Sequence, residues 1–587
     1  MAQLPGRKRI IVCCDGTWQN SDNGFLKAST KHNAPKLQTP SNVTRISRCF
    51  RRTCKDGTSQ VIYYQSGVGS RSGSLNRILG GAFGIGISEN IREAYSFICA
   101  NYLDRDEIVL LGFSRGAFTA RSVGGMISDL GLLTREGMEF FYPVFKDMQN
   151  WRNEKYKDPF PTQPFTNKPK GQYAAANYRE RLLEKKYTRV KGNNGMGSLI
   201  SVKAIGFYNT RLSNKIQHGF HALALDETRG PFSPTLWERR PQEQDTSDLR
   251  QVWFPGSHAN IGGGWPDQGV ADITLAWMMD QLSSVGVEFQ PHSLNKLFER
   301  TISFYKHHTH FGILNKCPRC VVCCGSACCR SKSDNKLTMW AEKTIYEANQ
   351  PIRPWALHAI KSSRGCIAEL AGSVTRTPGM YHKINSSNGR ALPGFLEDTN
   401  ERIHPSVRVR LACGGSGLND TDIWHCTSLL KYWRPRRVSQ QFYDPVSRTA
   451  EWGPPPKTKG QASALTTLPP EHSGPSENLS LDHSHERNAS EESLHLLQML
   501  RTDPTERWVW EYIGPEFKAP TIRTMVEENM GPFEKGLLEL AAGKVHVCKF
   551  AEKQEVSDFQ ALHHQHQPVQ RLQKEQCQGQ QQQIPLK

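Results

Sequence analysis

The stretch Ile108-Val109-Leu110-Leu111-Gly112-Phe113-Ser114-Arg115-Gly116-Ala117-Phe118-Thr119-Ala120 constrains this chain more than any other. Its apolar opening reads as a buried strand, and the alanine-bearing run after Gly116 reads as a helix. Between them stands G-x-S-x-G. Turning a strand into a helix so abruptly leaves no room for side chains beside the serine, and glycine on either flank supplies that room. The turn pushes the Ser114 hydroxyl out at the carboxyl end of a sheet, beside a helix N-terminus that favours developing negative charge. The bare pattern occurs by chance. With a strand before it and a helix after it, Ser114 becomes a candidate nucleophile.

The surrounding sequence supplies the sheet. Residues 9–14 are a short apolar run ended by Asp15-Gly16, a strand entering a turn, and Ser41 or Asn42 opens a helix. Residues 61–64 form a second strand, residues 88–103 a helix with Ile91, Ala94, Tyr95 and Ile98 on one face, and residues 107–111 a third strand. Strand character returns at residues 199–207 and 252–254, and the chain turns helical after Asp272. Short buried strands alternating with helices place the chain in the α/β class, with a mostly parallel sheet covered by helices.

Composition narrows the classes further. Of 587 residues 37% are hydrophobic, enough for a buried core, which excludes wholesale disorder. The longest apolar runs fall well short of the ~20 residues a membrane-spanning helix needs. The first residues lack the apolar core of a secretory signal. Sixteen cysteines include Cys13, Cys14 and Cys99 in apolar runs, which read as reduced, buried thiols and point to a cytoplasmic setting, while the basic charge balance adds the expectation of peripheral contact with anionic membranes. Lys plus Arg number 74 against 56 acidic residues, a net charge of +18. That charge favours anionic surfaces, but no aromatic-interleaved basic motif accompanies it, so nucleic acid is not an expected partner.

The expected organisation is a main domain over residues 1–450 with two insertions. One, residues 142–195, is polar and basic (Lys155, Lys157, Lys168, Lys170, Lys185, Lys186); the other spans residues 307–335. A Pro/Ser-rich linker (453–493), a helical segment docking on the main domain (494–550) and a disordered Gln/His-rich tail (551–587) follow. Within the second insertion, Cys317, Cys320, Cys323, Cys324, Cys328 and Cys329 invite a zinc reading. Adjacent cysteines in a short loop do not impose one tetrahedral geometry, so no metal is expected. Residues 80–86 are glycine-rich but lack the Lys-Ser/Thr pair of a phosphate loop, and read as a turn or lid.

A nucleophilic serine needs a base, and the base an orienting acid, in the chain order Ser, Asp/Glu, His. His258 is the candidate base. It follows Val252-Trp253-Phe254-Pro255-Gly256-Ser257 and precedes Gly262-Gly263-Gly264, just past a strand and beside a glycine run. Asp226 lies between the two in chain order and is the candidate acid, against the alternative of an ordinary helix-terminal carboxylate. Asp15 reads as a turn-stabilising carboxylate rather than a metal ligand.

Taken together, several segments resemble one family: Cys14-Asp15-Gly16-Thr17-Trp18, Tyr64-Gln65-Ser66-Gly67-Val68-Gly69, the Ser114 motif through Arg121, and His221-Ala222-Leu223-Ala224-Leu225-Asp226-Glu227. The His258 motif, Arg376-Thr377-Pro378-Gly379 and Ile403-His404-Pro405-Ser406-Val407 complete the set. The chain resembles the α/β-hydrolase family of bacterial type VI secretion phospholipase effectors, which has many uncharacterised fungal relatives. The resemblance implies a lipase or esterase fold with Ser114 as nucleophile, His258 as base, no metal or organic cofactor, and lipid or phospholipid acyl esters as substrates. An oxyanion hole is expected from the Arg115 amide and from Gly16 or Thr17 in the turn after the first strand. His404 is a second histidine candidate, for which a structural role is preferred.

The family places its triad aspartate in a Trp-Asp-Thr-Val segment after the strand that follows the serine motif. Here Lys203-Ala204-Ile205-Gly206 runs straight into Phe207-Tyr208-Asn209-Thr210. Asn209, a neutral amide, does not stabilise an imidazolium. Two readings follow: a serine hydrolase of carboxylic esters, or a catalytically impaired hydrolase fold acting as a binding module.

Overall fold

The computed structural model describes residues 6–16, 25–26, 36–67, 83–191 except 172, 200–207, 216–239, 247–309, 353–362, 373–384, 390–439 except 421, 506–541, 547, 548 and 551. The linker at 453–493, the cysteine cluster at 317–329 and the tail at 552–587 lie outside them. One compact unit comprises Met1–Arg436 with Val509–Lys587, and a second comprises Arg437–Trp508. Of the second, only residues 437–439 and 506–508 are described.

The first unit is built on a sheet whose strands are β1 (Lys8–Cys14), β2 (Ser59–Gln65), β3 (Glu107–Gly112), β4 (Val202–Phe207), β5 (Ile216–Ala224), β6 (Asp248–Phe254), β7 (Glu401–Ile403), β8 (Trp433–Ser439), β9 (Glu506–Tyr512) and β10 (Thr524–Glu527), with β8 belonging to this unit through Arg436 and β9 from Val509. Their order is β8-β9-β10-β7-β6-β5-β4-β3-β1-β2. From β2 to β10 every pairing is parallel, and β9 runs antiparallel to β10. This is the mostly parallel α/β sheet the alternation of strands and helices implies.

Each strand of the parallel core is buried on both faces, and the residues sort by parity. Ile11 and Cys13 of β1 and Val109 and Leu111 of β3 join one apolar cluster. Ile10, Val12, Cys14, Ile108 and Leu110 join the other. The first cluster is closed by α1 (Asn42–Ser47) and by the helix Gly269–Ser284, here α7, through Val43, Ile46 and Trp277. The second is closed by α2 (Phe83–Asn101), α3 (Arg115–Leu130) and α5 (Ala174–Glu184) through Ile91, Tyr95, Val123, Met126, Tyr178 and Leu182. Two covered faces explain why the strands read as continuous apolar runs rather than alternating ones.

The chain leaves β1 over one face of the sheet and β3 over the other, so the strand order reverses between these neighbours. In open α/β sheets the carboxyl ends of strands at such a switch point enclose a crevice. Asp15-Gly16 and Phe113-Ser114 are the residues placed there.

The basic insertion is partly a core element. Its α4 (Phe141–Asn150) and α5 send Phe141, Val144, Phe145, Tyr178 and Leu182 into the second cluster. Lys168, read from the sequence as part of a basic surface, is instead held inside by Asp147 at 2.8 Å and Asp158 at 2.7 Å. The expected helical segment at 494–550 is helical at α10 (Pro532–Ala541), whereas β9 and β10 extend the sheet. Val509, Trp510 and Met525 are buried, and the β-branched Val509 and aromatic Trp510 suit a pleated surface better than a helix.

Candidate active site

Ser114 sits at the junction of β3 and α3 with φ 55° and ψ −121°. A non-glycine residue at positive φ is strained, and such strain persists only where the surroundings over-determine it. Here they do. The Phe113 amide donates to the Cys14 carbonyl at 3.1 Å, the Gly116 amide to Phe113 at 2.9 Å and the Ala117 amide to Ser114 at 3.1 Å. A Cβ added to Gly116 would lie 2.1 Å from the Cys14 carbonyl oxygen, and one added to Gly112 would lie 2.6 Å from Ala117 Cα. Both glycines of the motif are therefore required by close backbone approach. The Ser114 hydroxyl is half-buried, and it makes no hydrogen bond among the described residues.

The turn after β1 faces this elbow. Asp15 is buried and accepts from Ser41 Oγ (2.6 Å), Thr44 Oγ1 (2.6 Å), Tyr64 Oη (2.6 Å) and the Gly16 amide (2.6 Å). Burial raises its carboxyl pKa above the usual value, and these four hydrogen bonds offset only part of that rise. Asp15 thus ties the turn to α1 and β2, the structural role expected of it. The Gly16 amide, a candidate oxyanion donor, is engaged by this carboxylate. Thr17 lies outside the described residues. Arg115, the remaining candidate, occupies the first position of α3.

His258 opens a short helix, α6 (His258–Gly262), directly after β6. Its ring stacks on Phe113 with centroids 4.8 Å apart and meets Phe232 edge-on at 5.0 Å. The loop is held by Asn260 Oδ1, which accepts from the Ser257 amide (3.1 Å), the Ser257 hydroxyl (2.9 Å) and the Lys361 amide (3.2 Å). Nε2 of His258 is buried and has no hydrogen-bond partner among the described residues. Burial lowers the imidazole pKa to about 4; Glu227 opposes that shift, while Arg229 and Arg376 reinforce it. Ser114 and His258 are brought to the same carboxyl edge of the sheet but are not hydrogen-bonded to each other.

Asp226, the candidate acid, does not face the histidine. Its Oδ2 accepts from the Gly256 amide at 2.6 Å and its Oδ1 from Trp424 Nε1 at 2.9 Å, so it staples the β5 turn to the β6 turn. The neighbouring Glu227 is the carboxylate at His258: its Oε2 accepts the His258 backbone N–H at 3.2 Å. Glu227 also takes a two-pronged contact from Arg229, Nε to Oε1 and Nη2 to Oε2, each at 2.8 Å. The sequence reading assigns Glu227 no role, although it lies between Ser114 and His258 in chain order and directly follows Asp226. Arg229 stacks on Phe232, its guanidinium 3.7 Å from the ring centroid. Arg376 donates to Ser233 Oγ and to the carbonyls of Arg229 and Phe232, holding this loop against the histidine.

In this arrangement Ser114 follows β3, Glu227 follows β5 and His258 follows β6, all at one edge of a parallel sheet. Residues 8–281 match the model of the T6SS phospholipase effector Tle1-like catalytic domain. The Tle1-like segment thus contains the serine elbow, the β5 turn and the histidine loop, and the Arg376 and His404 motifs fall beyond it. An uncharacterized protein of Saccharomyces cerevisiae is 27% identical over 445 aligned residues, covering 52% of this chain and 60% of that protein. A crystal structure of an uncharacterized protein from Pseudomonas aeruginosa aligns with a TM-score of 0.27 at 14% identity, covering 50% of this chain and 48% of the other.

His404 follows β7 at the same carboxyl edge, its ring stacked on Phe254 with centroids 4.3 Å apart. It caps α9 (Pro405–Ala412), its Nδ1 accepts from the Ser406 amide at 3.1 Å and its Nε2 meets Glu534 of α10 at 2.5 Å. Its role is structural. No group of three or more His, Cys, Asp or Glu that could hold a metal occurs among the described residues. No described helix is long and apolar enough to cross a membrane.

Proposed function

We propose that the chain is a serine hydrolase of carboxylic esters, with phospholipid acyl esters as the substrate class that the Tle1-like match favours. The Ser114 Oγ attacks the ester carbonyl while its proton passes to Nε2 of His258. The resulting oxyanion is met by the Arg115 amide at the head of α3. His258 then returns the proton to the departing alcohol, leaving an acyl-serine that water hydrolyses by the same path in reverse. The observation that carries this reading is the positive φ of Ser114 at the carboxyl end of β3. A structural turn would use glycine there and avoid the strain.

A second reading has its own support. The Gly16 amide is engaged by Asp15, and the family's aspartate segment is missing from the chain. Both fit a hydrolase fold reduced to binding. Release of p-nitrophenol from short and long acyl esters separates the two: the hydrolase reading requires turnover by the native chain that Ser114→Ala abolishes. Equal background rates in both proteins leave the binding module.

Exposed Lys155, Lys157, Lys170, Lys185 and Lys186 on the insertion supply a basic surface for anionic headgroups. Sedimentation with vesicles should then rise with anionic lipid content and fall with salt. Binding indifferent to both removes this part of the proposal.

A further inference from the structure

We infer that Glu227, clamped by Arg229, is the carboxylate that positions His258 for catalysis, in place of the aspartate segment this chain lacks. The assignment rests on the hydrolase reading above. Three observations point to it. Glu227 is buried, with a side chain 3% exposed, at the carboxyl end of β5, one strand from the histidine and between Ser114 and His258 in chain order. Its Oε2 is already in contact with the His258 main chain. The other carboxylate of that turn, Asp226, has both oxygens spent on Gly256 and Trp424.

The chemistry fits the placement. A base that becomes an imidazolium during the reaction gains from a nearby fixed negative charge, and the carboxylate itself stays ionised throughout. Burial alone would push the Glu227 carboxyl up, but the Arg229 hydrogen bonds and charge, with a smaller contribution from His258, leave its pKa below the ordinary carboxylate value. The charged groups acting on His258 are Glu227, Arg229 and Arg376. Glu227 opposes the two arginines, so it is the group that makes the protonated histidine accessible. Arg229 does two things at once: it keeps the Glu227 carboxylate ionised and aimed, and through its stack on Phe232 it braces the ring that meets His258 edge-on. Glu227 acts through His258 and is therefore a positioning residue.

The test compares wild type, Ser114→Ala, Glu227→Gln, Glu227→Asp and Arg229→Gln on p-nitrophenyl butyrate, with circular dichroism and thermal melting confirming that each variant is folded. Glu227→Gln should lower kcat by at least about 100-fold, within the ~10⁴-fold range known for loss of a triad acid, while KM changes less than about threefold. Glu227→Asp restores the charge and should recover at least about tenfold of the loss. Arg229→Gln removes a cation from beside the imidazole, so the acid limb of its kcat/KM profile should move to higher pH. Wild-type turnover that requires Ser114 but survives Glu227→Gln within about threefold overturns this assignment alone. Absence of Ser114-dependent turnover in the wild type overturns the hydrolase reading and this assignment with it. Should Glu227→Gln fail to fold, an unmoved acid limb in Arg229→Gln overturns the assignment by itself.

Discussion

The Phe113 ring lies against the His258 imidazole, centroids 4.8 Å apart and planes 27° from parallel. Because Phe113 directly precedes Ser114, this contact packs the elbow after β3 against the loop after β6. The first glycine behind the histidine makes room for this contact: a Cβ on Gly262 would sit 1.9 Å from Cε2 of Phe113. Gly262→Ala should therefore displace Phe113, cost about 1–3 kcal/mol by overpacking and lower ester turnover at least about tenfold. Urea denaturation and p-nitrophenyl ester hydrolysis read the two effects, and a variant as stable and active as wild type contradicts the packing argument.

The strain at Ser114 sets stability against activity. Glycine adopts the φ of 55° without cost, whereas serine pays for it. Ser114→Gly should gain about 1 kcal/mol of stability while losing turnover, and Ser114→Ala should lose turnover without the gain. Chemical denaturation midpoints at constant m-value decide; equal stability of the two variants removes strain as the explanation of this geometry.

On the proposed reading, His258 can act as a base only when neutral. Its pKa is lowered to about 4 by burial, with Arg229 and Arg376 beside it and Glu227 opposing. Protonation on lowering the pH removes the base, so kcat/KM should be flat through the range where a free histidine titrates and fall only near pH 4. A pH–rate profile with a limb near the ordinary value of 6.5 would show that the imidazole is solvated during turnover.

Glu534, against the His404 ring, offers a test that does not depend on ester turnover. Burial pushes its carboxyl well above the ordinary 4.5, with Glu528 adding to the shift and the Gly531 amide and Lys535 opposing it; the like-charged Asp280 and the neutral His404 ring are its other neighbours. A raised folded-state pKa means stability that is present below 4.5 and lost as pH rises through the folded value. Glu534→Gln cannot ionise, so its stability relative to wild type should improve as pH rises above 4.5. Glu534→Ala leaves His404 Nε2 buried without a partner and should cost about 1–3 kcal/mol. Melting curves across pH check both; a pH-independent difference between Gln and wild type refutes the sign.

Local chemistry along the chain was enough for the strand–elbow–helix at Ser114, the parallel α/β class and the histidine loop after β6. Each depends on interactions within about a dozen residues: apolar runs, glycines where backbones meet, and turns that end strands. The role of Asp15 as a turn carboxylate is equally local, because an Asp-Gly pair directly after a strand favours a turn. Tertiary structure decided the rest, and for one reason: the partner of a charged group is chosen in space. Asp226 and Glu227 are adjacent in sequence, yet one faces Trp424, 198 positions away, and the other faces His258. Lys168 belonged by composition to a basic surface, but Asp147 and Asp158 fold around it. Adjacent side chains leaving a strand end point in different directions, and only the packed sheet settles which of them meets the histidine.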